Sequence, residues 1–268
     1  MPKIVVWSLF DSGNGSYAKV FNKYPNIDNY SIGIDRQNKN RQNKNAHFIE
    51  LDLSDYSYIF GEDNLIKTLD KFPKPDIIIA SPPCESWSVA SAMKHGNACW
   101  KQETAGGLFQ MGRPLSRFTI RDFDDYNGYQ FYPDRQLITR INGELTIFNT
   151  IKIIKTYKPY IYIIENPAYS RIWDYIDTIL GFRDLKYENL TFYNNYNDWE
   201  IKKPTKFASN INLKLKQDDF KSDKSLRDVN WSYNQRSEIP SDLVEHIIET
   251  CISRLATIKK KEVEDENN

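Results

Sequence analysis

Short, continuous apolar runs recur along the chain, each soon followed by a Gly-rich, acidic or proline-containing turn. The runs cover residues 4–7, 30–34, 48–51, 76–80 and 160–164. A run that is apolar throughout is typical of a strand in a sheet covered on both faces. Segments with helical spacing of apolar residues lie between the runs, from about residue 17, over 61–72 and over 144–157. This alternation predicts an α/β fold with a doubly wound, mostly parallel sheet.

The rest of the chain has weaker patterns. Residues 91–132 are rich in Gly, Arg, Asp and aromatic residues without a sustained period, which predicts a long functional loop. Residues 186–237 contain short polar and aromatic stretches, and we expect antiparallel strands over 187–207. A last helix is expected over 241–257, followed by a charged, frayed tail at 259–268.

Composition constrains the partners and the setting. The 36 basic residues balance the 36 acidic ones, so a nucleic-acid surface would have to be local. Three cysteines are too few and too scattered for a disulfide framework or a four-ligand zinc site, which favours a reducing, cytoplasmic setting and no metal. The first apolar run is far too short for a signal peptide or a membrane span. We predict one domain over residues 1–258 without membrane attachment; the oligomeric state stays open.

Glycines and carboxylates follow the first three strands, where an open α/β sheet binds ligands. Gly13 and Gly15 would let a ligand approach the backbone closely, although a turn that needs positive φ explains them equally well. Asp35 follows the second strand, where a carboxylate accepts hydrogen bonds from ribose hydroxyls, and Asp52 follows the third. A helix N-cap or a solvated turn explains either carboxylate alone. Together they favour an adenosine-containing ligand.

A thiol and a carboxyl group follow the next two strands. Pro82 and Pro83 end the fourth strand because they donate no ladder hydrogen bonds, and they hold Cys84 in a rigid turn. Cys84 could instead be a small buried hydrophobe, but polar neighbours such as Ser86 argue against burial. Glu165 emerges from a very apolar strand, so desolvation should raise its pKa and make it a proton donor near neutrality. An N-cap or a salt-bridged turn is the alternative for Glu165.

These segments resemble the motifs of the cytosine-5 DNA methyltransferases, most closely their small phage and prophage members. The similar segments are residues 9–16, 74–88, 164–167, 203–206 and 236–240. The resemblance implies a Rossmann-like S-adenosylmethionine-dependent methyltransferase fold, with double-stranded DNA as the partner. It also implies that 91–132 is a loop insertion in the catalytic domain and that 186–237 is a short target-recognition region.

By this resemblance, Cys84 attacks carbon 6 of a cytosine flipped out of the duplex, while Glu165 protonates or hydrogen-bonds ring nitrogen 3. Carbon 5 then accepts the methyl group of S-adenosylmethionine. Asn166 would brace the segment of Glu165, and Pro83 would shape the cysteine loop. The residues implied to bind the cofactor are Phe10, Ser12, Gly13, Gly15, Asp35, Asp52 and Pro82.

The residues implied to contact DNA are Ser88, Lys94, Arg113, Arg117, Lys203, Lys206 and Arg236. For each charged residue among them, a solvated surface charge is the alternative. The chain departs from the family pattern in three places. One extra residue, Asp11 or Ser12, precedes Gly13, and residues 203–206 stand where the family has a Gln-x-Arg-x-Arg segment. The region that would hold a large target-recognition domain, 186–237, is also short. The cation that would support the cytosine carbonyl is therefore left open.

Three rival functions stay open. An amino-group DNA methyltransferase also uses a Pro-Pro turn, but an aromatic residue follows it where this chain has Cys84. An RNA cytosine methyltransferase usually takes its nucleophile from the next strand end, where this chain has Glu165. A catalytically inactive DNA- or nucleotide-binding relative would keep the fold without turnover, and the presence of both Cys84 and Glu165 argues against it.

Overall fold

The computed structural model describes residues 3–11, 15–34, 46–88, 133–196, 199–218, 221 and 230–266. Within these residues, seven strands form one sheet in the order β3-β2-β1-β4-β5-β7-β6. The strands are β1 (Ile4–Leu9), β2 (Ile27–Gly33), β3 (Ala46–Glu50), β4 (Ile77–Ala80), β5 (Ile161–Pro167), β6 (Tyr187–Phe192) and β7 (Pro204–Ser209). β7 is antiparallel to both of its neighbours, and the other pairs are parallel.

Helices connect the strands and cover both faces of the sheet. They are α1 (Ser16–Phe21), α2 (Asn64–Leu69), α3 (Pro133–Tyr157), α4 (Ile172–Asp174), α5 (Tyr233–Ser237) and α6 (Ser241–Glu266). α2 begins after Asp63, whose side chain accepts a hydrogen bond from the Ile66 N–H at 3.2 Å, as an N-cap residue does. No described helix is both long enough and apolar enough to cross a membrane.

Alternate residues of the central strands belong to opposite cores, because successive side chains of a strand point to opposite faces. On β4, Ile77 and Ile79 belong to the core formed with α1 and α6. Ile78 and Ala80 belong to the core formed with α2 and α3. All four residues are at most 1% exposed. The continuous apolar run therefore reflects burial on both faces, and the predicted doubly wound, mostly parallel α/β sheet is confirmed.

The C-terminal helix is longer than expected. α6 runs to Glu266, so the prediction of a frayed tail at 259–268 is wrong for the part of it that the structure describes. Lys259 Nζ lies 2.7 Å from a carboxylate oxygen of Asp76, and the Tyr160 hydroxyl donates to Glu262 at 3.0 Å. These contacts hold the charged end of α6 against the amino ends of β4 and β5.

Two element boundaries bear on the site. α3 begins at Pro133, well before the expected start at residue 144. β5 extends through Pro167, so Glu165 lies within the strand and not after it.

The antiparallel strands expected over 187–207 are present as β6 and β7. The predicted loop at 91–132 lies outside the described residues.

The strand order reverses between β1 and β4. β2 and β3 lie on one side of β1, whereas β5, β7 and β6 lie beyond β4. In an open α/β sheet such a reversal leaves a crevice at the carboxyl ends of the two strands, and ligands bind there. The crevice between the carboxyl ends of β1 and β4 is therefore the expected position of a ligand site.

Candidate active site

Three segments singled out in the sequence meet at this edge of the sheet. Leu9 of β1 pairs with Ala80 of β4, and Ala80 is in register with Ile164 of β5. Because these strands are parallel, the residues that follow the paired positions lie side by side. Those residues are Phe10, Ser81 and Glu165.

Cys84 lies in a turn that is anchored to α3. Its carbonyl oxygen accepts hydrogen bonds from the backbone N–H groups of Trp87 and Ser88, at 3.0 and 2.9 Å. Ser86 Oγ donates to the carbonyl of Thr139 at 2.9 Å. Ser86 and Trp87 are buried, whereas Cys84 is only partly buried. The turn therefore leaves the thiol partly accessible while the residues after it enter the core.

Gly143 makes the close approach of this turn to α3 possible. A Cβ atom on Gly143 would lie 2.8 Å from Ser86 Cβ, closer than real Cβ contacts come, and 3.2 Å from Trp87 Nε1, which is tighter than most such contacts. Ser86 is buried although it is polar, because the backbone of α3 satisfies its hydroxyl.

Glu165 is a buried carboxyl group. It is 8% exposed and pairs with Phe207 of β7, which covers the side of β5 away from β4. Burial raises the pKa of Glu165 above its usual value, while attraction to Lys203 and a hydrogen bond from Ser81 act in the opposite direction. Desolvation is the largest of these effects, so the carboxyl group holds its proton more strongly than an exposed glutamate does.

Asn166 links the turn that carries the thiol to the end of β5, which carries the carboxyl group. Its side-chain Nδ2 donates to the carbonyl of Pro82 at 2.9 Å, and both residues are buried. Because Pro82 precedes Cys84 by two positions and Asn166 follows Glu165, this one hydrogen bond fixes the spacing of the two segments. Pro83 lies in the same turn and is partly buried.

Lys203 is the cation of the site. It directly precedes β7, and because β7 is antiparallel its start lies at the edge where β5 ends. Lys203 Nζ donates to the carbonyl of Arg236 at 2.9 Å and lies 4.6 Å from the ring centroid of Tyr193. Burial lowers the pKa of Lys203, and attraction to Glu165 and to Cys84 counteracts this. The ammonium group is therefore electrostatically coupled to both predicted catalytic residues.

The surroundings of Cys84 raise the pKa of its thiol. Burial raises the pKa of Cys84, and repulsion from Glu165 raises it further, whereas Lys203 lowers it. A thiol, a proton-holding carboxyl group and a cation in one place can add sulfur to an unsaturated carbon while a proton reaches a neighbouring heteroatom.

Comparisons with protein-family models and with curated proteins found no relative. Among the described residues, no group of three or more His, Cys, Asp or Glu side chains is placed to hold a metal ion. The chemistry of the site is therefore the basis for a functional proposal.

Four of the predicted cofactor residues are described: Phe10 and Gly15 in the turn after β1, Asp52 after β3 and Pro82 after β4. Phe10 has φ 64° and Gly15 has φ 57°, so both adopt the left-handed conformation. Asp52 is exposed, and its carboxylate accepts hydrogen bonds from the backbone N–H and the hydroxyl of Ser54. Pro82 is buried beneath the cysteine turn. The other predicted cofactor residues, Ser12, Gly13 and Asp35, lie outside the described residues.

A cavity of about 520 Å³ opens beside Asp52. Its polar lining includes Asn142 of α3, and its apolar lining includes Phe60, Ile138 and Ile141. The last three are exposed apolar side chains. Periodicity could not have revealed this cavity, because it forms only where α3 passes over the segment after β3.

The predicted DNA contacts have mixed positions. Arg236 is exposed, and Ser88 is partly buried next to the cysteine turn. Lys206 is a poor candidate, since its side chain is only 13% exposed, forms a 2.9 Å ion pair with Glu188 and lies over the ring of Trp173. Lys94, Arg113 and Arg117 lie outside the described residues.

Sequence reasoning missed one carboxylate at this edge. Asp11 is 3% exposed and accepts hydrogen bonds from the backbone N–H groups of Tyr17 and Ala18 and from the Ser31 hydroxyl. It therefore takes up two of the free N–H groups at the start of α1. An acidic residue a few positions before a helix was the only available signal. Tyr17 and Ser81 were also missed, and nothing in the local pattern distinguishes them.

Proposed function

We propose that this chain is a DNA cytosine-5 methyltransferase that uses S-adenosylmethionine. The observation that carries the proposal is the convergence of Cys84, Glu165 and Lys203 at the carboxyl edge of β4 and β5. A packed core does not require these three groups together, because each of them costs free energy to bury. Their combination suits covalent addition to a pyrimidine ring.

In the proposed reaction, the Cys84 thiolate forms a bond to carbon 6 of the cytosine while Glu165 transfers a proton to ring nitrogen 3. Addition breaks the conjugation of the ring and makes carbon 5 nucleophilic. The cofactor, when bound, supplies an electrophilic sulfonium methyl group. After methyl transfer, the proton on carbon 5 leaves to a base, the bond to Cys84 breaks, and nitrogen 3 returns its proton to Glu165.

Lys203 fills the role of the cation that the sequence left unassigned. During addition, electron density moves onto the carbonyl oxygen of the cytosine, and a nearby ammonium group stabilises that charge. Lys203 also favours the thiolate form of Cys84, which burial and Glu165 oppose. Its contact with the Arg236 carbonyl holds the ammonium group in place without neutralising it.

The features of the β1 turn support a bound cofactor. A left-handed Phe10 is strained, and such strain in a non-glycine residue clusters at ligand sites. Asp11 already occupies N–H groups of α1, so the methyl donor would lie along the turn and not on the helix terminus. The cavity beside Asp52 has polar and apolar walls and a size suited to a nucleoside. We propose that the sheet is the methyltransferase form of the doubly wound fold.

A target cytosine within a duplex cannot reach Cys84 and has to be flipped out, at a cost of a few kcal/mol. Contacts to DNA must offset that cost. Arg236 is well placed for one of them, because its backbone binds Lys203 while its side chain is exposed at the rim of the site.

The test is covalent trapping. In 5-fluorocytosine, fluorine replaces the hydrogen on carbon 5. It cannot leave as a proton does after methyl transfer, so the bond to Cys84 cannot be broken by elimination. The protein, incubated with S-adenosylmethionine and DNA that contains this base, should therefore form a denaturation-resistant adduct. Cys84→Ala should form none, whereas Cys251→Ala, which removes a fully buried cysteine of α6, should still form it. An adduct with Cys84→Ala would contradict the proposed nucleophile.

The variant Glu165→Gln tests whether Glu165 acts as a general acid or has a structural role. The amide cannot donate a proton in the same way, so turnover should fall by about 100-fold or more, the usual contribution of a general acid. Binding of S-adenosylmethionine, measured by calorimetry, should change little. Loss of cofactor binding would assign Glu165 a structural role, and methylation of an exocyclic amine would favour an amino-group methyltransferase.

A further inference from the structure

A chain of hydroxyl groups leads from α1 to Glu165. The Tyr17 hydroxyl and the Ser81 hydroxyl are 2.7 Å apart. Ser81 directly follows Ala80, which is in register with Ile164, so Ser81 lies beside Glu165, and its hydroxyl lowers the pKa of that carboxyl group. Tyr17 is 1% exposed, Glu165 is 8% exposed and Ser81 is partly buried. The chain thus connects the helix after the β1 turn to the proposed general acid through the segment that precedes Cys84.

The direction of these hydrogen bonds follows from the number of protons. Ser81 has one hydroxyl proton, so when it donates to Glu165 it can only accept from Tyr17. Tyr17 then donates its own proton to Ser81. In a protonated carboxyl group the carbonyl oxygen is the better acceptor, so donation from Ser81 to one oxygen of Glu165 favours the proton on the other oxygen.

We propose that Tyr17 and Ser81 are positioning residues that orient the Glu165 carboxyl group, so that its proton resides on the oxygen that faces the substrate. The inference rests on the proposed function for the identity of the substrate, but the hydroxyl chain exists independently of it. A hydroxyl pair placed only to join α1 to β4 would have no effect on Glu165, and this difference is measurable.

Several charged or titratable groups surround Glu165 and affect its pKa. Lys203 lowers the pKa of Glu165, as does Ser81, while burial raises it. Cys84 after β4 and Tyr193 after β6 also interact electrostatically with the carboxylate. Removal of the Ser81 hydroxyl deletes one stabilising contact and leaves the others unchanged, so the pKa of Glu165 should rise.

The experiment uses the full chain and the variants Ser81→Ala and Tyr17→Phe. The titration of Glu165 is followed by carboxyl ¹³C NMR, with Glu165→Gln to assign the signal. The midpoint should move to higher pH in Ser81→Ala and less far in Tyr17→Phe. Tyr24→Phe is the matched control, since Tyr24 donates to the exposed Glu249 and does not reach Glu165.

Kinetics provide the second measurement. Each of the two variants should lose about tenfold in kcat, as expected for one hydrogen bond, with the KM for DNA nearly unchanged. Ser81→Thr retains the hydroxyl and should restore both the titration midpoint and kcat. Circular dichroism and the unfolding midpoint verify that every variant is folded, and Tyr17→Phe keeps the aromatic packing against Phe21.

The outcomes separate the two proposals. If Glu165 titrates identically in wild type, Ser81→Ala and Tyr17→Phe, the positioning role is overturned, whether or not methyl transfer occurs. If the titration shifts as expected but wild type transfers no methyl group, the hydroxyl chain is supported and the proposed function fails.

Discussion

The buried carboxylate of Asp11 should make stability depend on pH in a way that one substitution removes. Asp11 is 3% exposed, and burial raises its pKa from 3.8 to about 6, despite hydrogen bonds from Tyr17, Ser31 and Ala18. Between these two values the folded protein binds a proton that the unfolded chain does not bind. The stability contributed by the protonated form is therefore fully present below pH 3.8 and is lost as the pH rises through about 6.

The size of this effect follows from the two pKa values. A separation of about two pH units corresponds to roughly 3 kcal/mol in the free energy of unfolding. Asp11→Asn cannot titrate, so it should lack this dependence. The asparagine keeps one oxygen acceptor but turns an NH₂ group toward one of the donors of Asp11, so the variant should also be less stable at every pH.

The assay is urea unfolding monitored by tryptophan fluorescence, from about pH 4 to about pH 8. The difference in unfolding free energy between wild type and Asp11→Asn should grow by about 2 to 3 kcal/mol as the pH falls across this range. Ser31→Ala removes a hydrogen bond that lowers the pKa of Asp11, so its transition should move above pH 6. A difference that stays constant with pH would refute the reasoning.

Two further predictions concern the cysteine turn. Gly143→Ala should gain up to about 1 kcal/mol from helix propensity. It should lose more, because Ser86 must move and its buried hydrogen bond to Thr139 is disrupted, at a desolvation cost of about 1 to 3 kcal/mol. Denaturation should therefore show a net loss of stability, and a more stable variant would contradict the packing. Lys203→Met should raise the pKa of Cys84, so alkylation of the Cys84 peptide by iodoacetamide, followed by mass spectrometry, should shift to higher pH. Lys206→Met, the control on β7, should leave it unchanged, and an equal shift in both variants would contradict the role of Lys203.

The two proposed catalytic residues stand out in the sequence because each has a local signature. Two prolines before Cys84 and a long apolar run before Glu165 indicate reactive side chains near the ends of strands. Both lie at the carboxyl edge of adjacent strands in the structure. The burial of Ser86 could not be predicted, because it depends on a glycine in α3 that the local sequence of the turn does not contain.

Lys203 shows why part of the site was beyond prediction. Its sequence context, between a polar segment and a short strand, is equally consistent with a surface cation that contacts DNA. Its place in the site depends on the antiparallel insertion of β7 between β5 and β6. Nothing in the local period of residues 204–209 determines which strand edge they join.

The sequence by itself determined the order of strands and helices, the burial of the sheet on both faces, and the thiol and carboxyl group at two strand ends. These features follow from local periodicity and from backbone chemistry such as that of proline. The tertiary structure alone decided the strand order, the electrostatic interaction of Lys203 with Cys84 and Glu165, and the placement of Tyr17 and Ser81 next to Glu165. The physical reason is that pairing between distant segments depends on which edges and side chains meet in space, and short-range patterns do not encode that choice.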